Sequence, residues 1–189
     1  MTNNSEDKKI YKVVFTGVMA AMVFVITYLR VPFLGSKLSF GNVFCLLSGL
    51  LFGPTCGSLA AGLGSGIYDL VGGYDVIQAL ITFVSKGAMA WVCAKISGTY
   101  RNEAHENNAR IAAGSVIGAF TYVVLYMLKT FIYQHFVYGL TFSGTFAAMA
   151  SKLPASAINA VAAFIIAPII YKAVSPAIKM LGGLDKIRA

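Results

Sequence analysis

Apolar residues gather along the chain into long blocks, separated by polar or glycine- and proline-containing segments. A membrane-spanning helix needs about 20 mainly apolar residues, and several of the blocks reach or approach that length. The apolar blocks are interrupted at residues 30–38, 97–110 and 136–144, and turn residues stand at Gly53-Pro54 and Gly72-Gly73. The pattern predicts one all-α integral membrane domain, a bundle of six transmembrane helices at about residues 13–29, 38–52, 54–70, 76–96, 111–135 and 145–171.

The predicted helices at 38–52 and 54–70 are short for full spans, so a re-entrant pair is an alternative at this point. Three lysines, Lys8, Lys9 and Lys12, precede the first apolar block, as they would in a signal peptide. Residues 27–32 offer no small-x-small cleavage site, however, and further apolar blocks follow. We therefore expect a retained first membrane helix.

The composition excludes a soluble globular domain. Hydrophobic residues make up 58% of the 189 residues, charged residues only 12%, and the mean hydropathy is +0.74. Soluble domains carry about 45–50% apolar and about 25% charged residues. The net charge of +8 and the pI of about 9.5 would suit a nucleic-acid binder, but the chain has too little polar sequence to build a basic binding face. We expect no nucleic-acid partner.

The basic residues instead indicate an orientation, because Lys and Arg concentrate in short cytoplasmic loops. With the N-terminus inside, ten of the 15 cations fall on the cytoplasmic side and only Arg30 and Lys37 fall in outer loops. The sequence therefore predicts cytoplasmic N- and C-termini, with attraction to anionic lipid as a by-product. The ten are Lys8, Lys9, Lys12, Lys95, Arg101, Arg110, Lys172, Lys179, Lys186 and Arg188.

Residues with catalytic or metal-binding chemistry are sparse. Cys45, Cys56 and Cys93 are isolated in apolar stretches, which indicates small buried side chains rather than disulfides or metal ligands. The sequence shows no nucleophile paired with a base and no phosphate-binding loop. We expect no enzymatic activity, no bound metal and no cofactor.

Three lysines remain inside predicted helices: Lys86, Lys129 and Lys152. A charge at mid-membrane costs at least about 2.5–3.5 kcal/mol, so it usually faces a polar cavity or a partner. All three lie within about ten residues of the predicted outer end of their helices, that is, within about 15 Å of it. The alternative is that their long side chains reach out to the membrane surface.

Further polar residues gather at the same level. Helical spacing places Gln78 and Thr82 on one face with Lys86, and Ser156 and Asn159 on one face with Lys152. These stripes predict an outward-opening pocket for a small, polar, planar molecule. The alternative is an Asp69–Lys86 ion pair with the tyrosines in an interfacial belt. The predicted substrate-binding residues are Asp69, Tyr74, Gln78, Thr82, Lys86, Lys129, Tyr133, Lys152, Ser156 and Asn159.

Small residues repeat at four-residue spacing in two of the predicted helices. They include the pairs Gly57/Ala61, Ser58/Gly62 and Gly62/Gly66 in GSLAAGLGSG, and the pair Gly17/Ala21 in TGVMAAM. Such spacing permits close helix packing in lipid. Packing within this chain and docking of another membrane protein both remain open for these faces.

The stretch from Phe40 to Ile96 resembles the S components of energy-coupling factor (ECF) transporters, the small vitamin-binding membrane subunits. Phe52-Gly53-Pro54, Gly62-x-Gly64-Ser65, Asp69-Leu70, Gly73-Tyr74 and Thr82-Phe83 with Lys86-Gly87 are similar to the hydroxymethylpyrimidine and pyridoxine branch. Leu153-Pro154 follows the same pattern, whereas Ser156 and Asn159 stand where that branch tends to show Asn and Gln. The resemblance covers about residues 10–172.

The resemblance implies a multi-pass protein of a bacterial plasma membrane that captures a vitamin or precursor from outside. It implies that Gly17 and Ala21 dock the first helix onto a transmembrane coupling subunit, which works with two cytoplasmic ATPases that use the ATP. The predicted outer loops at 30–38, 70–76 and 136–144 would close the pocket. We expect Asp69 to tune Lys86, and Tyr74, Tyr133 and Phe136 to stack on the ligand or cover it.

Three other functions remain open. The first is an S component for another vitamin such as pantothenate, which the three lysines would suit, or riboflavin. The second is a small transporter that works alone. The third is a membrane-embedded enzyme, for which only Glu103, His105 and Glu106 are available on the predicted cytoplasmic side.

Overall fold

The computed structural model describes residues 4–33, 36–101 and 107–180, and this part of the chain is almost entirely helical. It contains five helices, which confirms the all-helical prediction, together with one short strand pair. Each helix is long and apolar enough to cross a membrane. The elements in chain order are α1 (Asn4–Tyr28), β1 (Arg30–Phe33), β2 (Ser36–Ser39), α2 (Gly41–Val71), α3 (Val76–Ser97), α4 (Asn108–Ile132), a π-helical turn (Tyr133–Val137) and α5 (Phe142–Met180).

Helix α2 is folded back on itself at Gly53. This glycine has φ 77° and ψ −172°, and Pro54 follows it. The Ser48 hydroxyl donates a hydrogen bond to the Gly57 carbonyl at 2.9 Å, and Cys45 Sγ lies 3.7 Å from Ser65 Oγ. Residues 45 and 65 would be about 30 Å apart along a straight helix, so these contacts require two antiparallel arms.

The prediction of six separate helices is therefore not confirmed as stated. The structure has five helical elements in its described residues, and the predicted helices at 38–52 and 54–70 correspond to the two arms of α2. The sequence pattern placed the turn at the right residues.

Small residues let the two arms of α2 and their neighbours approach closely. A Cβ on Gly57 would lie 2.8 Å from the Cα of Gly49, and one on Gly62 would lie 2.9 Å from the Phe83 carbonyl oxygen. On Gly64 it would meet the Ala20 carbonyl of α1. These glycines therefore serve close packing within the chain. Helix α2 is accordingly the most buried of the five helices.

The segment predicted as an outer loop at 30–38 is a β-hairpin instead. Strands β1 and β2 pair antiparallel, with Arg30 opposite Ser39 and Phe33 opposite Ser36. The hairpin lies between the end of α1 and the start of α2. Its last residue, Ser39, helps to begin α2, because the Ser39 hydroxyl accepts a hydrogen bond from the Gly41 backbone N–H at 3.1 Å.

Helix α5 is longer than predicted. Its 39 residues correspond to about 59 Å, against a hydrocarbon core of about 30 Å, so one end must extend beyond the membrane. Pro154, Pro168 and Pro176 lie inside it, which membrane helices tolerate because neighbouring groups satisfy the freed carbonyls.

The first and last helices, α1 and α5, place the two ends of the described chain on the same side of the bundle. Thr27 near the end of α1 and Lys152 near the start of α5 line the same cavity, so the N-terminus of α1 and the C-terminal end of α5 lie away from it. The turn at Gly53 lies on that side too. It is next to Tyr100, because a Cβ on Gly53 would lie 3.0 Å from the Cβ of Tyr100. Which side faces the cytoplasm stays a prediction.

Candidate functional site

A cavity of about 390 Å³ lies at the end of the bundle where α1 ends, α2 begins and ends, and α5 begins. Its volume falls within the range of small-molecule pockets, about 300–1,000 Å³. All ten residues predicted to bind substrate line it, although their binding of a ligand stays a prediction. They are Asp69, Tyr74, Gln78, Thr82, Lys86, Lys129, Tyr133, Lys152, Ser156 and Asn159.

One wall comes from α3, where Gln78, Thr82 and Lys86 follow each other at intervals of four residues. Asp75 begins this helix: its carboxylate accepts a hydrogen bond from the backbone N–H of Gln78 at 2.8 Å. Such capping satisfies an N–H that the first turn of a helix leaves without a partner. The cap thereby fixes where the stripe of three polar side chains starts.

The facing wall comes from α5, where Lys152, Ser156 and Asn159 form the second stripe. Ser156 is 2% exposed, and its hydroxyl has no hydrogen-bond partner among the residues that the structure describes. The Asn159 side-chain carbonyl accepts a hydrogen bond from the Ser39 backbone N–H at 3.0 Å, which ties α5 to the β-hairpin. A buried hydroxyl without a partner is costly, so Ser156 is a natural contact for a polar ligand.

The deepest cation is Lys86, which is only 9% exposed. Its ammonium donates a hydrogen bond to the side-chain carbonyl of Asn42, at the start of α2, and lies 4.0 Å from the ring centroid of Tyr122 on α4. The described hydrogen bond of Lys86 goes to Asn42, so the expected tuning of Lys86 by Asp69 stays a prediction. A direct Asp69–Lys86 ion pair, the alternative left open by the sequence, is not among the ion pairs of the described residues.

Lys129 takes part in the cavity as well. It is half-buried, and its ammonium donates a hydrogen bond to the Thr82 hydroxyl at 3.1 Å. This bond joins α4 to the polar stripe of α3. The side chain therefore turns towards the cavity. The alternative left open by the sequence was that it reaches out to the membrane surface.

A second bond crosses between the α2–α3 turn and the end of α4. The Tyr133 hydroxyl donates to the Asp75 carboxylate at 3.3 Å. The Gln78 backbone N–H and, to a lesser degree, this hydroxyl hold the pKa of Asp75 below its ordinary value of 3.8. Tyr133 opens the π-helical turn at 133–137, a local geometry that occurs often at functional sites.

Several residues that line the cavity were not among the ten predicted from the sequence. Asn42 and Tyr122 contact Lys86, and Thr27, Ser39 and Ser65 bring α1, β2 and α2 into the wall. The prediction drew the pocket mainly from the three later helices, and α2 in fact contributes at both of its ends. The other additional lining residues are Gly41, Tyr68, Ser85, Tyr126, Thr130, Gln134 and Tyr138.

Phe136, which was expected to stack on the ligand or cover it, does not line the cavity. It is 72% exposed, and its ring contacts Phe131 and His135, at centroid distances of 6.5 and 5.0 Å. The π-helical turn points this ring away from the site, while Tyr133 and Gln134 of the same turn line it.

Gly17 and Ala21 lie on an exposed face of α1. A Cβ on Gly17 would meet nothing within 4 Å. Unlike the glycines of α2, Gly17 packs against nothing inside the described part of the chain, and Ala21 is exposed beside it.

Metal-binding and enzymatic alternatives gain no support from the described residues. No group of three His, Cys, Asp or Glu side chains in residues 4–33, 36–101 and 107–180 could hold a metal ion. The three cysteines are buried and unpaired. Glu103, His105 and Glu106, proposed for an enzyme, lie outside the described residues, as do Lys186 and Arg188.

Comparison with known proteins covers nearly the whole chain. A family model described as the S component of an ECF-type riboflavin transporter matches residues 7–176. An uncharacterized protein of the gap 3′ region of Pyrococcus woesei is 34% identical over 106 residues, which are 54% of this chain and 66%, just under two thirds, of that relative. The solved structure of the S component of a bacterial ECF transporter covers 90% of this chain and 99% of its own, with a TM-score of 0.69 and 17% identity. At that identity the structural likeness concerns the fold.

Proposed function

Since the chain belongs to the family of ECF-type riboflavin transporter S components, we propose that its cavity captures a planar, nitrogen-containing aromatic vitamin or precursor for import. Within this class we place hydroxymethylpyrimidine and pyridoxine first. The family implies a vitamin as substrate and, as partners, a membrane coupling subunit and ATPases.

The polarity of the cavity wall carries this proposal. Among the described residues that line it, every side chain larger than glycine bears a hydroxyl, amide, carboxylate or ammonium group, and none is aliphatic. Aromatic faces are also present, because six of the lining residues are tyrosines: Tyr68, Tyr74, Tyr122, Tyr126, Tyr133 and Tyr138. A wall of this kind suits a flat ring that is hydrogen-bonded around its edge.

The same polarity ranks the candidates. Hydroxymethylpyrimidine and pyridoxine are single rings with polar substituents around the edge, so such a wall can match most of their surface. The fused rings of riboflavin carry a dimethylbenzene end, which offers no hydrogen-bonding group to these side chains. The motifs Gly62-x-Gly64-Ser65 and Leu153-Pro154 favour the same branch.

Riboflavin is the second candidate, on two observations. The family description names it, and a cavity of about 390 Å³ leaves room for more than one ring. Pantothenate has no ring to stack on the tyrosines, but it carries a carboxylate that Lys86, Lys129 and Lys152 could bind.

The proposal includes the division of labour within a transport complex. This chain would open its cavity to the outside of a bacterial plasma membrane, with both termini in the cytoplasm, and would bind no cofactor. ATP would be hydrolysed by the partner subunits alone. The Lys and Arg distribution supports this orientation, and the exposed Gly17 and Ala21 support a docking face on α1.

Calorimetric titration of the purified chain tests the substrate. We expect micromolar or tighter binding of hydroxymethylpyrimidine or pyridoxine, with weaker binding of riboflavin and pantothenate. Lys152→Ala and Asn159→Ala should each weaken it at least about tenfold. Lys172→Ala, the same change at an exposed position of α5 beyond the cavity, should leave it unchanged. Tighter binding of riboflavin would reverse the ranking, and no binding of any of the four would remove the proposal.

Vesicles separate the transport subunit from a transporter that works alone. We expect vesicles with this chain alone to take up none of the bound vitamin. Vesicles that also contain a coupling subunit and the ATPases should accumulate it when ATP is supplied. Uptake by the chain alone would support an independent transporter.

A further inference from the structure

The hydrogen-bond partner of Lys86 is an amide, although a buried cation is usually paired with a carboxylate. Asn42 is 3% exposed and accepts from the Lys86 ammonium through its side-chain carbonyl. An amide positions the ammonium as a carboxylate would, yet it leaves the positive charge in place. The partner is therefore suited to present a cation rather than to neutralise one.

The other contacts of Lys86 act in the same way. Its ammonium lies 4.0 Å from the ring centroid of Tyr122, and Tyr122 stacks on Tyr126 with centroids 5.7 Å apart. An aromatic face attracts a cation without cancelling its charge. A lysine has three N–H donors, and within the described residues only Asn42 takes one. Two donors remain for whatever enters the cavity.

The charge of the cavity wall as a whole points in the same direction. Three ammonium groups line it, those of Lys86, Lys129 and Lys152, against a single carboxylate among the described lining residues, that of Asp69. Lys129 already donates to Thr82. A ligand that offers lone pairs therefore meets an excess of positive charge, and Lys86 is the most buried of the three ammonium-bearing side chains.

We propose that Asn42 is a specificity-determining positioning residue: it holds the Lys86 ammonium at the cavity wall with its charge unneutralised, so that the site selects ligands that direct a ring nitrogen or an oxygen lone pair at this group. Asn42 acts through Lys86 with its side-chain carbonyl; its side-chain NH₂ group also lies at the cavity wall, without a hydrogen-bond partner among the described residues. The inference rests on the proposed function, because it assigns a recognition step within that site.

Asn42→Asp is the sharpest test, since it keeps the shape and the acceptor and neutralises Lys86 with an ion pair. It also removes the NH₂ donor of Asn42 at the cavity wall, so the affinity is read together with the preference for a lone pair described below. If Asn42 only tied α2 to α3, the stronger acceptor would preserve both fold and binding. We expect the variant to stay folded and to bind the preferred vitamin at least about tenfold more weakly. Asn107→Asp makes the same change at the N-cap of α4, outside the cavity, where Asp caps as well as Asn. Its affinity should match the unmodified chain.

A second measurement tests whether Lys86 recognises a lone pair on the ring nitrogen of the ligand. The unmodified chain should bind the vitamin at least about tenfold more tightly than its deaza analogue, in which the ring nitrogen is replaced by C–H. Asn42→Asp should lose most of this preference. Lys86→Met, which removes the ammonium, should lose it as well.

The outcomes separate this inference from the proposed function. If the unmodified chain binds a vitamin while Asn42→Asp keeps both affinity and preference, the inference is wrong and the proposed function stands. If no vitamin binds the unmodified chain, both fail. Should Asn42→Asp not be recovered folded, Lys86→Met decides whether the ammonium recognises the lone pair: a retained preference for the vitamin over its deaza analogue overturns the inference.

Discussion

Asn159 on α5 accepts a hydrogen bond from the backbone N–H of Ser39, at 3.0 Å and 120 residues away in sequence. This bond connects a predicted ligand-binding side chain directly to the β-hairpin that borders the cavity. A ligand that engages the Asn159 side chain must share it with, or take it from, the hairpin. Occupancy of the cavity and the position of the hairpin are thereby linked.

The first prediction concerns this bond. Asn159→Ala removes the acceptor, so the Ser39 amide should exchange its hydrogen for deuterium faster, by about fivefold, since a hydrogen bond contributes about 1 kcal/mol. Asn159→Asp keeps an acceptor and should protect the amide as the unmodified chain does. Hydrogen-exchange mass spectrometry of the ligand-free protein measures both. Equal exchange in all three proteins would show that other contacts hold β2.

A second prediction follows from the lowered pKa of Asp75. Because the Gln78 N–H and the Tyr133 hydroxyl favour the ionised carboxylate, its stabilising effect is complete above the ordinary pKa of 3.8. It is lost as the pH falls through the lowered pKa. Asp75→Asn keeps a capping oxygen but cannot titrate. The melting temperature of the unmodified chain should exceed that of Asp75→Asn at neutral pH, and the gap should shrink on acidification to about pH 3.

Tyr133→Phe provides the control for this pH dependence. It removes the weaker donor to Asp75 and keeps the N-cap bond from Gln78. The gap between Tyr133→Phe and its double variant with Asp75→Asn should therefore be smaller at neutral pH. A gap that does not change with pH would show that Asp75 contributes no ionisation-dependent stability.

Hydropathy and turn residues were sufficient to predict much of the fold. The Gly53-Pro54 and Gly72-Gly73 turns lie where the sequence placed them, because a positive φ and a missing N–H are local properties of these residues. Local patterns did not predict the β-hairpin at 30–39. Strand pairing of four residues depends on contacts across the turn and with Asn159, which lies far along the chain.

The site divides in the same way. Helical spacing predicted the two stripes, because residues four apart share a face whatever the tertiary structure. Asn42 gave no such signal, since it lies 44 residues from Lys86 and only the folding back of α2 brings its start to the cavity. Tyr122 looked like one more aromatic residue of an apolar helix, and its role depends on how α4 packs on α3.

A third prediction concerns the fold of α2. Gly53→Ala must adopt φ 77° and ψ −172°, a conformation that only glycine adopts readily, and its Cβ would lie 3.0 Å from the Cβ of Tyr100. We expect a loss of about 1–3 kcal/mol in the free energy of unfolding. Gly139→Ala has a similar φ of 66° but open space around it, so it should cost less. Unfolding in mixed detergent measures both, and equal losses would mean that neither the ψ of Gly53 nor the contact with Tyr100 adds to the cost.

The fourth prediction concerns the exposed face of α1. Replacing Gly17 and Ala21 with Leu fills no internal space, so folding and vitamin affinity should be unchanged. Co-purification with the coupling subunit should be lost, because larger side chains would hold the two helices apart. Val84→Leu, at a lipid-facing position of α3 that is 62% exposed, should leave the complex intact. An intact complex after the double substitution would show that another face docks.

The fifth prediction concerns Ser156, where function and stability should oppose each other. Its hydroxyl is buried at the cavity wall and has no partner in the described part of the chain. Ser156→Ala should therefore stabilise the ligand-free protein, by about 1 kcal/mol, and weaken vitamin binding about three- to tenfold. Ser48→Ala is the matched control, because the Ser48 hydroxyl bonds the carbonyls of Cys45 and Gly57, at 2.7 and 2.9 Å, away from the cavity. It should lower the melting temperature and leave the affinity unchanged. A ligand-free Ser156→Ala that melts below the unmodified chain would mean that the hydroxyl already has a partner, and that the cavity does not hold it ready for the vitamin.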